Sequence, residues 1–334
     1  MHIDLTTRYL GLLLKNPLVA SAGPITGDLD ALAQLVECGI AAAVLPSLFE
    51  EQIVRPPGGA EFSYEYADGC YTAAVASAAE INQFNVGPRE YLRLVEDAKR
   101  LVPIPIIGSL NGCSRGGWIR YAREIQDAGA DALELNIYVV PTSPDVTGKD
   151  VEDQYIDLVR AVRGAISIPL AVKIGAQFSS LPNFIAQLAK AGADGVVVFN
   201  RYLEPDVDLQ TLQFAPQLSL SNGHEMLLPL RWIGIVRDQT GISLAASSGV
   251  QSAADIVKLL LVGADAVMTT STLIRRGNEC VAEMISELER WLDISSFGSV
   301  EQLKGSLSYG YCANSGEFER AHYMRAVASY SAAH

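Results

Sequence analysis

The chain has 334 residues, 49% of them hydrophobic and 19% charged, a globular composition with enough length to bury a large core. Its net charge of −13 and sequence pI near 4.8 give a nucleic-acid backbone nothing to exchange its counterions for, which argues against nucleic acid as a partner, although a local pocket can still attract a small anion. No stretch has the length needed to span a bilayer and the N-terminus lacks the apolar core of a signal peptide, so a cytoplasmic protein with no membrane partner is expected.

Taken in chain order, eight short apolar runs have the length and flanks of strands buried on both faces: Leu18 to Ala22, Ala41 to Leu45, Pro105 to Leu110, Ala132 to Ile137, Leu170 to Ile174, Gly195 to Phe199, Ser243 to Ala246 and Ala266 to Thr269. Helical patterns lie between them, such as Leu29, Leu32, Ala33, Val36 and Val281, Met284, Ile285, Leu288, Leu292, which keep the spacing of an amphipathic helix. One short pattern marks the joints from helix to strand. It reads Ala128-Gly129-Ala130-Asp131, Ala191-Gly192-Ala193-Asp194 and Val262-Gly263-Ala264-Asp265, with Cys38-Gly39-Ile40-Ala41 as a looser copy. The glycine suits the left-handed position that closes a helix. Ser252-x-x-Asp255 is expected to cap the seventh helix.

Eight strands alternating with helices fit a closed parallel (β/α)8 TIM barrel, with a doubly wound open sheet as the alternative. The whole of 1–334 is read as one such barrel. Long loops at about 47–87 and 201–228 leave strand C-termini, where loops of barrel enzymes cover the site, and a tail at about 294–334 is expected to pack outside.

The strand ends carry the chemistry. They deliver Ser21-Ala22-Gly23, Ser47, Ser109 and Asn111, Asn136, Lys173, Asn200, Ser247-Ser248-Gly249 and Thr270-Ser271 to one rim. Polar loop starts account for the serines; they account less well for a lysine and three asparagines, and a polar ligand at this rim is the better reading. Lys173 interrupts Ala171-Val172-Lys173-Ile174, where burial costs desolvation unless an anion or polar acceptor meets it; a surface lysine at a strand end is the plainer alternative. Ser248, Gly249, Thr270 and Ser271 fall where barrels commonly hold phosphate, with backbone N–H groups of the next helix as added attraction, and Asn222-Gly223 permits a tight turn nearby. The five cysteines, Cys38, Cys70, Cys113, Cys280 and Cys312, are scattered and read as reduced thiols; with four histidines they suggest no metal or Fe–S centre.

Several segments then carry a resemblance. Asn16 to Gly23, Glu134-Leu135-Asn136, Ala171-Val172-Lys173, Ser248-Gly249-Val250 and the Thr270-Ser271 region occur in the order of the dihydroorotate dehydrogenase family. Ser47 to Gln52, Ser109 to Gly112, Phe199-Asn200-Arg201 and Leu228 to Trp232 are similar to a dihydroorotate dehydrogenase-like branch. The resemblance runs from about Leu5 to Tyr330. It implies an FMN-dependent oxidoreductase acting on a CH–CH bond, in pyrimidine biosynthesis. It further implies that Ser21, Ala22 and Gly23 lie against the isoalloxazine, that Asn136 and Lys173 bond flavin or substrate, and that Asn200 faces the orotate side. Gly223, Ser248, Gly249, Thr270 and Ser271 would surround the ribityl phosphate, and Ser47 and Asn111 complete the cofactor set. Lys173, Asn136 and Asn200 would be the catalytic group.

The chain departs from the family pattern in three places. Val139 stands where the family carries a Cys or Ser base, Pro46 stands where it carries a lysine, and the asparagine-rich substrate loop is reduced to Asn82 and Asn85. Two other functions are weighed beside the flavin enzyme: a barrel lyase or isomerase using Lys173, and a flavin-binding subunit without turnover of its own. The partners expected are a small-molecule substrate, a second copy in a homodimer, and an electron-transfer partner.

Overall fold

A computed structural model describes residues 3–54, 87–114, 116, 119–201, 205–216, 218–319 and 321–332. Asn82, Asn85, Cys70 and most of the 47–87 segment lie outside the described residues.

The eight apolar runs form eight parallel strands: β3 (Leu18–Ala20), β4 (Ala42–Val44), β6 (Ile106–Asn111), β7 (Ala132–Asn136), β8 (Leu170–Ile174), β9 (Gly195–Val198), β12 (Ser243–Ala246) and β13 (Ala266–Thr269). Each pairs with the next around the ring, β13 pairs with β3, and β4 pairs with β6, so the sheet closes into a barrel. The helices expected between them are α1 (Leu29–Glu37), α2 (Pro88–Leu101), α3 (Arg120–Asp127), α4 (Gly148–Ala165), α5 (Leu181–Ala191), α6 (Leu227–Val236), α7 (Ala253–Val262) and α8 (Cys280–Ile294). The chain is a (β/α)8 barrel. After α8, backbone bonds from Gly305, Leu307 and Tyr309 to Leu260, Leu261 and Gly234 tie the tail onto α7 and α6. Among the described residues no helix is long and apolar enough to cross a membrane.

Three features had no counterpart in the sequence reading. A hairpin of β1 (Thr7–Tyr9) and β2 (Leu12–Leu14) precedes the barrel, β5 (Leu48–Phe49) lies beside β6, and a second hairpin, β10 (Pro205–Asp208) and β11 (Gln213–Pro216), occupies the segment after β9. Strands this short carry too few residues for a periodic signal.

Strand alternation divides the side chains into two sets. Val19, Ala42, Val44, Ile107, Ala132, Ala171, Val197, Ala245, Ala266 and Met268 cluster inside the ring, while Leu133, Leu135, Val172, Val196 and Val198 join the layer of helices. The inner set is rich in alanine. Tyr9, Leu10 and Leu14 of the first hairpin pack into it from the N-terminal end, where the Leu10 N–H donates to Ser243 Oγ and Thr7 Oγ1 donates to the Asp265 carbonyl. Because Ala132 and Ala171 face inward, the period of two turns Glu134, Asn136 and Lys173 inward as well.

The repeated joint has a physical explanation. Gly129, Gly192 and Gly263 all hold positive φ, at 99°, 105° and 114°. The aspartate two residues on caps the head of the neighbouring strand: Asp131 accepts the Ile106 N–H at 2.7 Å, Asp194 that of Leu170 at 2.8 Å, and Asp265 that of Leu244 at 2.9 Å. Each also pairs with a cation from the end of the helix preceding that neighbouring strand, namely Lys99, Arg163 and Arg237. In the looser copy Ala41 takes the aspartate position, and the Asn16 side chain takes over the cap, accepting from the Leu18 N–H and donating to the Gly39 carbonyl.

These caps differ in burial. The Asp265 side chain is 8% exposed and also meets the buried Lys304, whereas that of Asp194 is 47% exposed. Asp265→Ala should therefore cost about 3–5 kcal/mol in denaturant unfolding, since it leaves the buried Lys304 only the exposed Glu301 as a partner and removes that of Arg237. Asp194→Ala should cost about 1–2 kcal/mol, for a lost cap that water can replace. Equal losses would show that burial does not set the value of the joint.

Candidate functional site

Lys173 lies at the C-terminal half of β8 with only 6% of its surface exposed, which removes the plainer reading of a surface lysine. Its Nζ lies 3.4 Å from Ser21 Oγ and 3.5 Å from Glu134 Oε1. Both contacts are long for a charged donor, and an ammonium has three N–H groups to place. Glu134, on β7, is fully buried.

The remaining rim residues gather in linked pairs around this lysine. Asn200 Nδ2 donates to Asn136 Oδ1 at 2.8 Å, and Asn136 itself stands opposite Asn111 on one side and Lys173 on the other in the strand ladder. Ser47 Oγ and Ser109 Oγ share a hydrogen bond of 2.7 Å. The Ser21-Ala22-Gly23 turn is held against β13, with Thr270 Oγ1 donating to the Ser21 carbonyl and the Ser21 N–H donating to that of Thr269. A Cβ on Gly23 would come within 2.6 Å of Thr270 Cγ2, so the close approach of these two strand ends depends on glycine. Ala22 packs against the interior cluster.

Past β12 and β13 the geometry is tighter still. Ser248 and Gly249 have φ of 79° and 77°, and a Cβ on Gly249 would stand 2.4 Å from the Met226 backbone nitrogen and 2.7 Å from the Asn222 carbonyl oxygen. The Gly249 N–H donates to Ser221 Oγ at 3.2 Å, and Ser221 Oγ lies 2.7 Å from Ser271 Oγ. Arg275 braces the ring from outside, donating to the Ser221 and Leu220 carbonyls and to Gln251 Oε1. The result is a cluster of the Ser221 and Ser271 hydroxyls and the Gly249 N–H, with the Arg275 guanidinium behind it. At the start of α7 Asp255 accepts from the Gln251 N–H, the Ser252 N–H and Ser252 Oγ, so the expected cap is present.

Gly223 stands apart. It is exposed, a Cβ there meets nothing within 4 Å, and the turn it shares is held by Asn222 and Glu225. The expectation of five reduced thiols fails at Cys113, which is disulfide-bonded, while Cys38, Cys280 and Cys312 are free. Spacing along a chain does not report which thiols fold together.

The loop after β7 turns Val139 into the helical layer, leaving it 8% exposed in the core. Thr142 is exposed, and Ser143 Oγ is engaged with Asp145, accepting from its N–H at 3.2 Å. Pro46 packs over Gly27, where its Cγ would stand 2.8 Å from a Cβ, and it offers volume without a donor.

Glu134, Ser221, Gln251 and Arg275 were not singled out in the sequence as members of the site. Glu134 was legible from alternation once Ala132 is assigned inward. The other three come together through contacts across 20 to 54 residues of chain, which no local pattern reports.

A closed parallel barrel with a buried lysine, paired asparagines and clustered hydroxyls at the C-terminal ends of its strands is the architecture of an α/β-barrel enzyme. The dihydroorotate dehydrogenase family model matches residues 78–292, and the chain belongs to that family. It is an oxidoreductase of the dihydroorotate dehydrogenase type, of the class acting on CH–CH donors. It is 26% identical over 316 residues to the dihydroorotate dehydrogenase B (NAD(+)) catalytic subunit of Thermoplasma acidophilum, covering 90% of this chain and 98% of that protein. The protein of the same name from Methanothermobacter thermautotrophicus is 24% identical over 315 residues, covering 91% and 99%. That of Listeria monocytogenes serotype 4b is 27% identical over 215 residues, covering 60% and 67%.

The two rim glycines give contrasting expectations. Gly249→Ala forces a side chain into a left-handed position against backbone and should lower stability by about 1–3 kcal/mol or abolish folding of the cradle. Gly223→Ala, in open space, should stay within about 0.5 kcal/mol of the parent. Denaturant midpoints of the two variants check this, and equal effects would refute the assignment of Gly249 as the constrained position.

Proposed function

We propose that the mouth of the barrel binds FMN and that the protein uses it to oxidise a CH–CH bond of a small polar substrate. The observation that carries this reading is Lys173, a lysine 6% exposed whose described partners are two long contacts. An ammonium withdrawn from water in this way costs several kcal/mol unless an acceptor meets it. The surrounding residues suit that group: the Ser21-Ala22-Gly23 turn offers backbone and small side chains to a flat ring, and Ser47, Asn111 and Asn136 supply hydrogen bonds beside it. Ser248, Gly249, Thr270 and Ser271, with Ser221, would hold the phosphate; Gly223 is the weakest member of that set. FMN supplies a hydride acceptor there. Lys173 would supply fixed positive charge toward the reduced cofactor, and the Asn136–Asn200 pair would orient substrate.

The chain departs from the family pattern at the position of the base, which puts dihydroorotate in doubt as its substrate. Among the described residues Val139, at the position of the family's base, lies in the core, and Ser143 is engaged by Asp145, so we read dihydroorotate as a poor substrate. A positioned base contributes 10²- to 10⁴-fold. We read the chain as a catalytic subunit, as its relatives are named, whose electrons leave through a separate chain or a soluble acceptor, because its five cysteines include no Fe–S ligand set.

The purified chain should carry, or take up, FMN with its visible absorption, and Lys173→Ala should lose most of that retention while keeping its fold by circular dichroism. A wild-type protein that neither holds nor takes up FMN would overturn the reading in favour of a lyase or isomerase built on the same lysine. Bound flavin should be reduced by dihydroorotate at least about 100-fold more slowly than in an enzyme with a base in place. Rapid reduction would instead identify a base in the 138–143 loop, and Thr142→Val and Ser143→Ala would locate it.

A further inference from the structure

Only two buried side-chain N or O atoms among the described residues have no hydrogen-bond partner, and both face the barrel interior: Glu134 Oε2 and the Tyr9 hydroxyl. Glu134 is fully buried, and Lys173 is its ion-pair partner. Tyr9, from the hairpin plug, is also fully buried. Burial first, and then the charges of Glu134 and Asp265, push its phenol well above the usual tyrosine range, so it stays protonated and adds no charge.

A carboxylate with one oxygen unpartnered is a poor structural element. Apolar side chains of the same volume would fill an alanine-lined barrel at lower cost, and a buried ion pair is on average no more stabilising than such a replacement. The cost is accounted for if the charge is needed at that depth. Glu134 and Lys173 stand on adjacent strands, with the ammonium on the side of the mouth, between Glu134 and Ser21.

We propose that Glu134 is a positioning residue, which anchors the Lys173 ammonium at the barrel axis and offsets its charge, so that a flavin at the mouth meets the field of the pair rather than of a free cation. This rests on the FMN reading above. Glu134 touches neither flavin nor substrate and acts through Lys173. Its removal leaves a net positive charge below the mouth. That charge favours the anionic, reduced form of the cofactor, so the reduction potential rises.

The test measures FMN binding and the equilibrium potential of FMN loaded from excess added cofactor, so that weakly retaining variants are still occupied, without turnover, in wild type, Glu134→Gln, Glu134→Asp, Lys173→Met and Lys173→Met/Glu134→Gln. Glu134→Gln keeps the shape and should raise the affinity ratio of reduced over oxidised FMN by about tenfold, equivalent to about 30 mV for a two-electron couple. Glu134→Asp keeps the charge and should return the ratio to within about threefold of wild type. In the Lys173→Met background the same Glu134→Gln change should have little effect. The double variant leaves neither Glu134 nor Lys173 charged, so if Glu134→Gln alone does not fold, a tenfold shift between Lys173→Met and the double variant still overturns the proposal, because Glu134 would then act without Lys173. A folded Glu134→Gln that binds FMN with an unchanged potential would overturn the proposal alone. An equal shift with and without Lys173 would likewise overturn it, because Glu134 would then act directly. A wild-type protein without FMN would instead bring down the reading on which it rests.

Discussion

Closure of the parallel ring is the constraint from which the rest of this structure follows. A parallel sheet left open must protect two edges, whereas eight strands paired in a circle satisfy their backbone groups from both neighbours. Closure also gives every strand one inner and one outer face. Leucine and valine on the outer face meet the helices, and small residues on the inner face leave a narrow interior. The strand heads still have N–H groups outside the ladder, and the Gly-x-Asp joints supply their partners. The same aspartates bind a cation from the helix before the neighbouring strand, so each joint ties strand, neighbour and helix at one point.

The interior is graded from apolar to charged along the barrel axis. The first hairpin seals the N-terminal end with Tyr9, Leu10 and Leu14, the middle is alanine and valine, and the Glu134–Lys173 pair opens toward the rim. Water is excluded from below, which lowers the local dielectric and lengthens the reach of each charge. An acidic protein thereby presents a buried cation to one small region, and the surface charge of the whole molecule says little about the ligand it selects.

The hydroxyl cluster past β12 and β13 is built on a different principle. It depends on backbone shape at Ser248 and Gly249, on hydroxyls from Ser221 and Ser271, and on Arg275 bonded to the carbonyls of 220 and 221.

The sequence by itself determined the barrel and most of its rim. Strands buried on both faces are short unbroken apolar runs, and glycine closes helices in a left-handed conformation, so eight strands and their joints could be read from local pattern. Lys173 and Asn136 were visible because polar residues at the ends of such runs conflict with their surroundings. Only the tertiary structure decided the partners: that Glu134 lies against Lys173, that Asp131, Asp194 and Asp265 each cap a neighbouring strand, that Arg275 braces Ser221, that Cys113 is in a disulfide, and that Val139 turns into the core. Each is a contact between residues distant in sequence or a choice of face in an irregular loop. Such contacts are set by closure of the ring and by packing, and neither leaves a local periodic trace.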